Sequence, residues 1–235
     1  MKNIIMLEIP FSFGEVNDVI YPVLLQDEKN LVLIDCGYIG FLPLIEQAIE
    51  DKGLDCHRLT HVVITHQDHD HMGALWALKQ KYPQVQVVAS EVEAPYISGT
   101  EKSLRLVQAE QMQELLPEEQ KEFGLKFCEL LRSVKTVPVD CCVKDGDVLD
   151  WCGGCKVIAT PGHTPGHLSF SLEEGRTIVA GDAAVLENGR LIVANPQFAL
   201  DLEQAKQSFQ KITESGAQKI YCYHGGLWQT PEETK

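Results

Sequence analysis

The run Thr65-His66-Gln67-Asp68-His69-Asp70-His71-Met72-Gly73 constrains this chain more than any other stretch. It follows an apolar run, Val62-Val63-Ile64, and precedes apolar residues at helical spacing, Leu75, Leu78 and Tyr82. Strand, turn and helix in that order put three imidazoles and two carboxylates on one turn. Such a cluster repels itself and is costly to desolvate unless a cation sits in it. Neutral imidazole and carboxylate oxygen suit zinc, iron and manganese. A solvated loop that happens to be rich in His and Asp is the bland alternative, and the strand–turn–helix context weighs against it. The fold must carry a metal-binding turn at the end of a strand.

Short apolar runs with polar ends recur along the chain. Residues 3–9, 19–25 and 31–34 read as strands, and Asp35-Cys36-Gly37 ends the third. Phe41, Ile45, Ala48 and Ile49 share one face of a following helix, with Gly53 as its C-cap. Residues 61–65 and Val85–Ala89 are the next strands. Residues 95–136 differ in character. Leu104, Leu106, Val107, Met112 and Leu115 give one helical pattern, and a second starts at Pro117 with Phe123, Phe127, Leu130, Leu131 and Val134 as its stripe. A lid, a dimer face and a helix pair packed on the core are the uses open to this block. Strands resume at Val137-Pro138-Val139 and 147–150, and Gly153-Gly154 reads as a hairpin turn into 156–160. Residues 168–172, 177–180 and 219–223 are further strands. A helix from Asp201, with Gln204 at capping-box spacing, precedes the last of them. The β-then-α pattern occurs twice, so two similar halves are expected.

At 235 residues, 44% hydrophobic and 23% charged, one α/β domain over 1–235 is expected, with a helical insertion at about 95–136. The formal charge of −14 leaves no basic stripe for a phosphate backbone, so a small-molecule substrate is expected and a nucleic acid is not. No uncharged apolar run approaches the roughly 18 residues of a membrane span. The first ten residues are too interrupted for a signal peptide, and eight cysteines without one imply free thiols in the cytoplasm. Cys152 and Cys155 form a C-x-x-C near Cys141-Cys142. A structural zinc knuckle is open there, and a hairpin with incidental thiols is the simpler reading.

His163, Asp182 and His224 each fall at a strand's C-terminal end, as the 66–71 turn does, and α/β sheets build sites along that edge. In this order the chain resembles the metallo-β-lactamase-fold hydrolase superfamily. Leu33-Ile34-Asp35-Cys36-Gly37 is similar to its I-D-x-G signature. Pro161-Gly162-His163-Thr164-Pro165-Gly166-His167 is similar to the P-G-H-T-x-G-H loop of its glyoxalase II-like and lactonase-like branches. The match runs from about Asp35 to Gly226. One departure stands out: the turn reads H-x-D-x-D-H, with Asp68 where the family usually has His. Register favours Asp68 as the ligand over the neighbouring His69.

The resemblance implies a four-layer αββα sandwich with a dinuclear site between its sheets. By position, His66, Asp68 and His163 would hold one divalent ion. Asp70, His71 and His224 would hold the other, with Asp182 bridging. Zinc is expected first, with iron or manganese as alternatives. The implied chemistry is attack of a metal-activated hydroxide on an ester, thioester or lactone carbonyl, with Asp70 as the catalytic residue that orients the nucleophile or shuttles its proton. Asp35 would anchor the turn, and His167 would pack behind the site. His57, His61 and Cys222 fall outside the chemistry. Phosphodiester hydrolysis is disfavoured by the charge. Di-iron redox chemistry like that of flavodiiron proteins needs a flavodoxin-like domain for which the length leaves no room. Asp68 adds negative charge, so a shift toward harder ions and a more alkaline bound water are expected of it.

Overall fold

Leu31-Val32-Leu33-Ile34 is apolar at every position, and a strand of that kind needs cover on both faces. The computed structural model, which describes residues 2–14 and 16–230, supplies it. Met1, Glu15 and residues 231–235, part of the expected domain, lie outside the described residues. The first half contributes β1 (Asn3–Met6), β2 (Ile9–Phe13), β3 (Val16–Ile20), β4 (Val23–Gln26), β5 (Leu31–Ile34), β6 (His61–Val63), β7 (Gln86–Ser90) and β8 (Cys141–Val143). Six of these form a sheet in the order β1-β4-β5-β6-β7-β8, parallel from β5 onward. Helices α1 (Leu42–Asp51) and α3 (Leu75–Lys81) cover its outer face, and the short α2 (His69–Met72) lies between them in the chain.

The second half contributes β9 (Val148–Leu149), β10 (Cys155–Ala159), β11 (Leu168–Leu172), β12 (Thr177–Gly181), β13 (Val185–Glu187), β14 (Arg190–Ile192), β15 (Lys219–Cys222) and β16 (Gly226–Gln229). The sheet order is β16-β15-β12-β11-β10-β9, with β12 and β15 the parallel pair. Period-2 alternation sorts the side chains into layers. Leu31 and Leu33 pack toward α1 and α3, while Val32 and Ile34 enter the core between the sheets with Phe170, Val157 and Val179. On the far side, Ile178, Ala180 and Ile220 meet Ile212 of α7 (Leu202–Thr213). This is the expected αββα sandwich, and a backbone bond from Tyr21 N to Tyr223 O stitches its halves together.

Residues 94–133 form α4 (Ala94–Ser98), α5 (Leu104–Leu115) and α6 (Glu118–Ser133). The expected stripe on α6 is rotated: Gly124, Cys128 and Leu131 are buried, while Phe123 and Leu130 are exposed. Val137-Pro138-Val139 is no strand. Pro138 has no N–H to give a ladder, and pairing starts only at Cys141. The expected strand over 19–25 is two, broken at Tyr21-Pro22, and its first part pairs with β2 as a hairpin. Cys152–Gly154 turns between β9 and β10 as expected, and all eight cysteines are free.

Candidate metal centre

Parallel neighbours end at the same edge of a sheet, so β5, β6 and β7 deliver Asp35, the 64–73 turn and Ser90–Glu93 to one place. The second sheet brings three segments to it: residues 160–167 after β10, Asp182 after β12, and His224 after β15. The seven expected ligands converge there. His163 Nε2 lies 3.0 Å from Asp68 Oδ2, and His66 Nε2 lies 3.5 Å from the same oxygen. His224 Nε2 is 3.3 Å from Asp70 Oδ2, and His71 Nε2 is 3.8 Å from it. Asp182 faces both groups, with Oδ2 3.5 Å from His163 and Oδ1 3.3 Å from His71 and 3.8 Å from His224. Three triplets have ligand atoms close enough to share an ion: His66/Asp68/His163, His66/His71/Asp182 and Asp70/His71/His224. His69 joins none of them among the described residues. Its ring packs edge-on to Tyr38 and Phe127.

The donor set fits dications. His66 Nε2, His71 Nε2 and Asp182 Oδ1 are buried without a hydrogen-bond partner, which is costly for polar atoms aimed at one point. Burial pushes the Asp182 carboxyl up, but His71, His224 and His163 outweigh it and hold the group well below the usual range. Burial likewise pushes the His71 imidazole down, and Asp182, Asp35 and Asp70 reverse the effect. So many mutually dependent charges in one buried spot ask for a cation.

The supporting shell explains how the ligands are aimed. Thr65 N donates to Asp35 Oδ1 at 2.8 Å, Thr65 Oγ1 donates to Oδ2 at 2.8 Å, and His71 Nδ1 meets Oδ2 at 2.9 Å. Asp35 thus orients His71 so that Nε2 points to the centre, and it holds an unusual φ of 61° to do so. His167 Nε2 accepts from Asp182 N at 2.9 Å while Nδ1 bonds Thr160 Oγ1 at 2.8 Å, so it props the carboxylate from behind, as expected. Tyr223 stacks on His71 at 3.9 Å and donates to the Asp70 carbonyl at 2.6 Å. His57 and His61 lie elsewhere, against Tyr82 and Trp151.

Two buried residues of the site carried no motif in the sequence. Glu93 accepts from Gln67 N at 2.9 Å and from Gly166 N at 2.8 Å, clamping the two ligand loops together. Arg105 reaches down from α5 onto Asp68: Nε donates to Oδ1 at 3.0 Å, and Nη2 donates to Oδ2 at 2.6 Å. Burial pushes the Asp68 carboxyl up, and Arg105, His163 and His66 outweigh it to hold the group well below the usual range. Arginine in a run such as Leu104-Arg105-Leu106-Val107 is the one available signal, a charge placed one turn from Ala109 on the buried face.

Above the ligands lies a cavity of about 460 Å³ whose walls include Tyr38, His69, Phe127, Asn195 and Phe198. It shares Arg105, Phe127 and Phe198 with an adjoining groove of about 440 Å³, where Met112, Leu116 and Phe123 supply apolar surface.

Residues 18–224 match the Metallo-beta-lactamase superfamily, and the chain belongs to it. The uncharacterized protein YobT of Bacillus subtilis is 29% identical over 225 residues, covering 91% of this chain and 88% of that one. A hydroxyacylglutathione hydrolase, GloC of Haemophilus influenzae, is 29% identical over 158 residues, 67% of this chain and 62% of its own. The crystal structure of the metallo-beta-lactamase family protein TTHA1429 from Thermus thermophilus shares the fold. Its TM-score is 0.73 at 22% identity, and the match covers 96% of this chain and 74% of that one.

Proposed function

We propose that this chain is a metal-dependent hydrolase of a small-molecule ester, thioester or lactone, with His66, Asp68 and His163 holding one divalent ion, Asp70, His71 and His224 the other, and Asp182 shared. The observation that carries the reading is the trio of buried, unpartnered atoms His66 Nε2, His71 Nε2 and Asp182 Oδ1 at the meeting point of six loops. When bound, two dications lower the pKa of a shared water and polarise a carbonyl oxygen. The protein does the rest. Asp70, half-buried and facing the cavity beside His224, would accept and pass a proton at the carboxylate oxygen that its ion does not take. Phe127 and Phe198 wall the approach and exclude water, and the apolar groove beyond them suits the hydrocarbon part of an acyl substrate. The helical block thereby serves as a cover that shapes the pocket. Zinc is the ion we propose first, with manganese or iron as rivals, and cytoplasm is the proposed location. No helix among the described residues is long and apolar enough to cross a membrane. The similarity to a hydroxyacylglutathione hydrolase supports acyl transfer to water as the reaction. The test is metal analysis with a panel of thioesters, lactones and aryl esters. Chelation is expected to abolish turnover, and His224→Ala to lose about one equivalent of metal, since it removes one of the four side chains on its ion, the shared Asp182 included. Full activity in either case overturns the reading.

A further inference from the structure

Asp68 taken alone makes the centre more anionic, since Asp70 and Asp182 already bring two carboxylates. The structure puts a second charge against it. Arg105 forks onto Asp68 through Nε, 3.0 Å from Oδ1 and 3.1 Å from Oδ2, and through Nη2, 2.6 Å from Oδ2. A guanidinium stays charged at any working pH. Both side chains are buried, so water does little to screen the pair.

The arginine is also fixed in place. Ser103 caps the start of α5, and Gln67 Oε1 accepts from Leu104 N at 2.7 Å, tying that helix end to the ligand turn itself. Nη1 donates to Gln108, and the guanidinium lies over the Phe198 ring at 5.4 Å. The oxygen that receives Nη2 is the same Oδ2 that faces His66 and His163. Nη2 also lies 3.3 Å from His163 Nε2, so the guanidinium borders the proposed ligand atoms themselves and an ion held there would share Oδ2 with it.

We propose that Arg105 compensates the charge of Asp68, so that the buried pair presents an oxygen ligand of near-zero net charge and His66, Asp68 and His163 together act on a cation as three neutral ligands would, beside the shared Asp182. Arg105 is a positioning and tuning residue that acts on the ion through Asp68. The inference rests on the dinuclear reading above. It blunts the drift toward harder ions and the more alkaline bound water expected of Asp68 by itself, and it explains how aspartate can stand in a position that suits histidine.

Dissociation constants for Zn²⁺ and Mn²⁺, read by chelator competition, and Co²⁺ absorption spectra test it without recourse to turnover. Arg105→Met exposes the ion to the full carboxylate charge. Mn²⁺ is expected to bind about tenfold tighter or more, and preference for Zn²⁺ over Mn²⁺ to fall. Asp68→His leaves Arg105 facing a dication unpaired, and one ion is expected to bind about tenfold weaker or worse. Asp68→His combined with Arg105→Met should return both ions to near wild-type affinity. Arg105→Lys keeps the charge and should keep the wild-type selectivity, which supplies a second variant where Arg105→Met fails to fold. Loss of an ion in Arg105→Met overturns the inference, because Arg105 would then merely hold Asp68 in place. Wild-type affinity in Asp68→His, or a selectivity change in Arg105→Lys, overturns it as well. Wild-type protein holding two ions while the variants behave otherwise refutes the charge argument alone, whereas wild-type protein that takes up no ion refutes the dinuclear reading with it.

Discussion

Gly162→Ala should be among the most damaging single-methyl changes in this protein. Gly162 precedes the proposed ligand His163 and has φ +129°, and an added Cβ would fall under 3.0 Å from the backbone N and Cα of Ala205 in α7. The loop cannot retreat, because its backbone is stitched to that helix's entrance. Asp201 N donates to Gly162 O at 2.8 Å, Leu200 N to His163 O at 3.1 Å, and Ser208 Oγ to Pro161 O at 2.6 Å. Positive φ costs a residue with a Cβ about 1–2 kcal/mol. Forcing atoms into a closed contact with backbone costs about 1–3 kcal/mol more, so the total is about 2–5 kcal/mol. Gly53→Ala is the control, since Gly53 has φ +74° with nothing near its added Cβ, and it should lose only the conformational part. Thermal melts read the difference, at about 2–4 °C per kcal/mol for a chain of this size. Metal analysis of the same samples should show Gly162→Ala short of ion at the His163 site. A Gly162→Ala melting point within a degree or two of Gly53→Ala would refute the close-packing argument.

Asp35→Asn keeps shape and tolerates the positive φ but puts an amide where Thr65 N, Thr65 Oγ1 and His71 Nδ1 all need an acceptor. Metal affinity should fall about 10–100-fold, and an unchanged chelator titration would show that His71 needs no such anchor. His167→Phe strands the Asp182 N–H in the core while the Thr160 hydroxyl keeps Ser169 Oγ at 2.9 Å, and urea denaturation should report a loss of about 1–3 kcal/mol, whereas a loss well below that would deny His167 its propping role. At Asp27, burial pushes the carboxyl up, but backbone N–H groups of Asn30, Cys152 and Lys29 outweigh it and bring it down to about 2. A depressed carboxyl stabilises the fold above its unfolded pKa and loses that contribution as pH falls. Asp27→Ala should therefore cost about 0.5–1 kcal/mol at neutral pH, a low figure because the site is solvent-screened, and the gap to wild type should close as pH drops from about 4 to about 2. Parallel melts at both pH values check it.

The candidate ligands were legible as a cluster because metal chemistry demands particular residue types at a particular register, and that demand survives any drift in the surrounding apolar residues. Leu31–Ile34 and Ile220–Cys222 were legible as strands because burial on both faces leaves an unbroken apolar run. The β2–β3 and β13–β14 hairpins were not. Phe11, Phe13, Val185 and Leu191 lie at the surface or half-covered, so their sequences lack the contrast that periodicity reads. On α6 the stripe was misplaced because Gly124 lies on the packed face and registers as a gap in hydrophobicity. Its missing side chain is what lets α5 approach, since a Cβ there would run into Gln113 and Leu116. Arg105 and Glu93 stayed hidden for another reason: their partners, Asp68 and Gly166, are distant in the chain, and a single charge shows no pattern until the fold supplies the other half.

The four proposed ligands of the 66–71 turn come from one half of the molecule, and His163, Asp182 and His224 come from the other. Every ion held there is thus also a cross-link between the two sheets. By mass action, free ion at 100 times its dissociation constant adds about 2.7 kcal/mol to the folded state. That increment falls on the seam where Tyr21 meets Tyr223 and not within either sheet. Withdrawing metal should first loosen that seam, with amide exchange rising at Tyr21 and in the 160–167 loop while β5 and β12 stay protected. Metal supply in the cell would then set the lifetime of the protein as well as its activity.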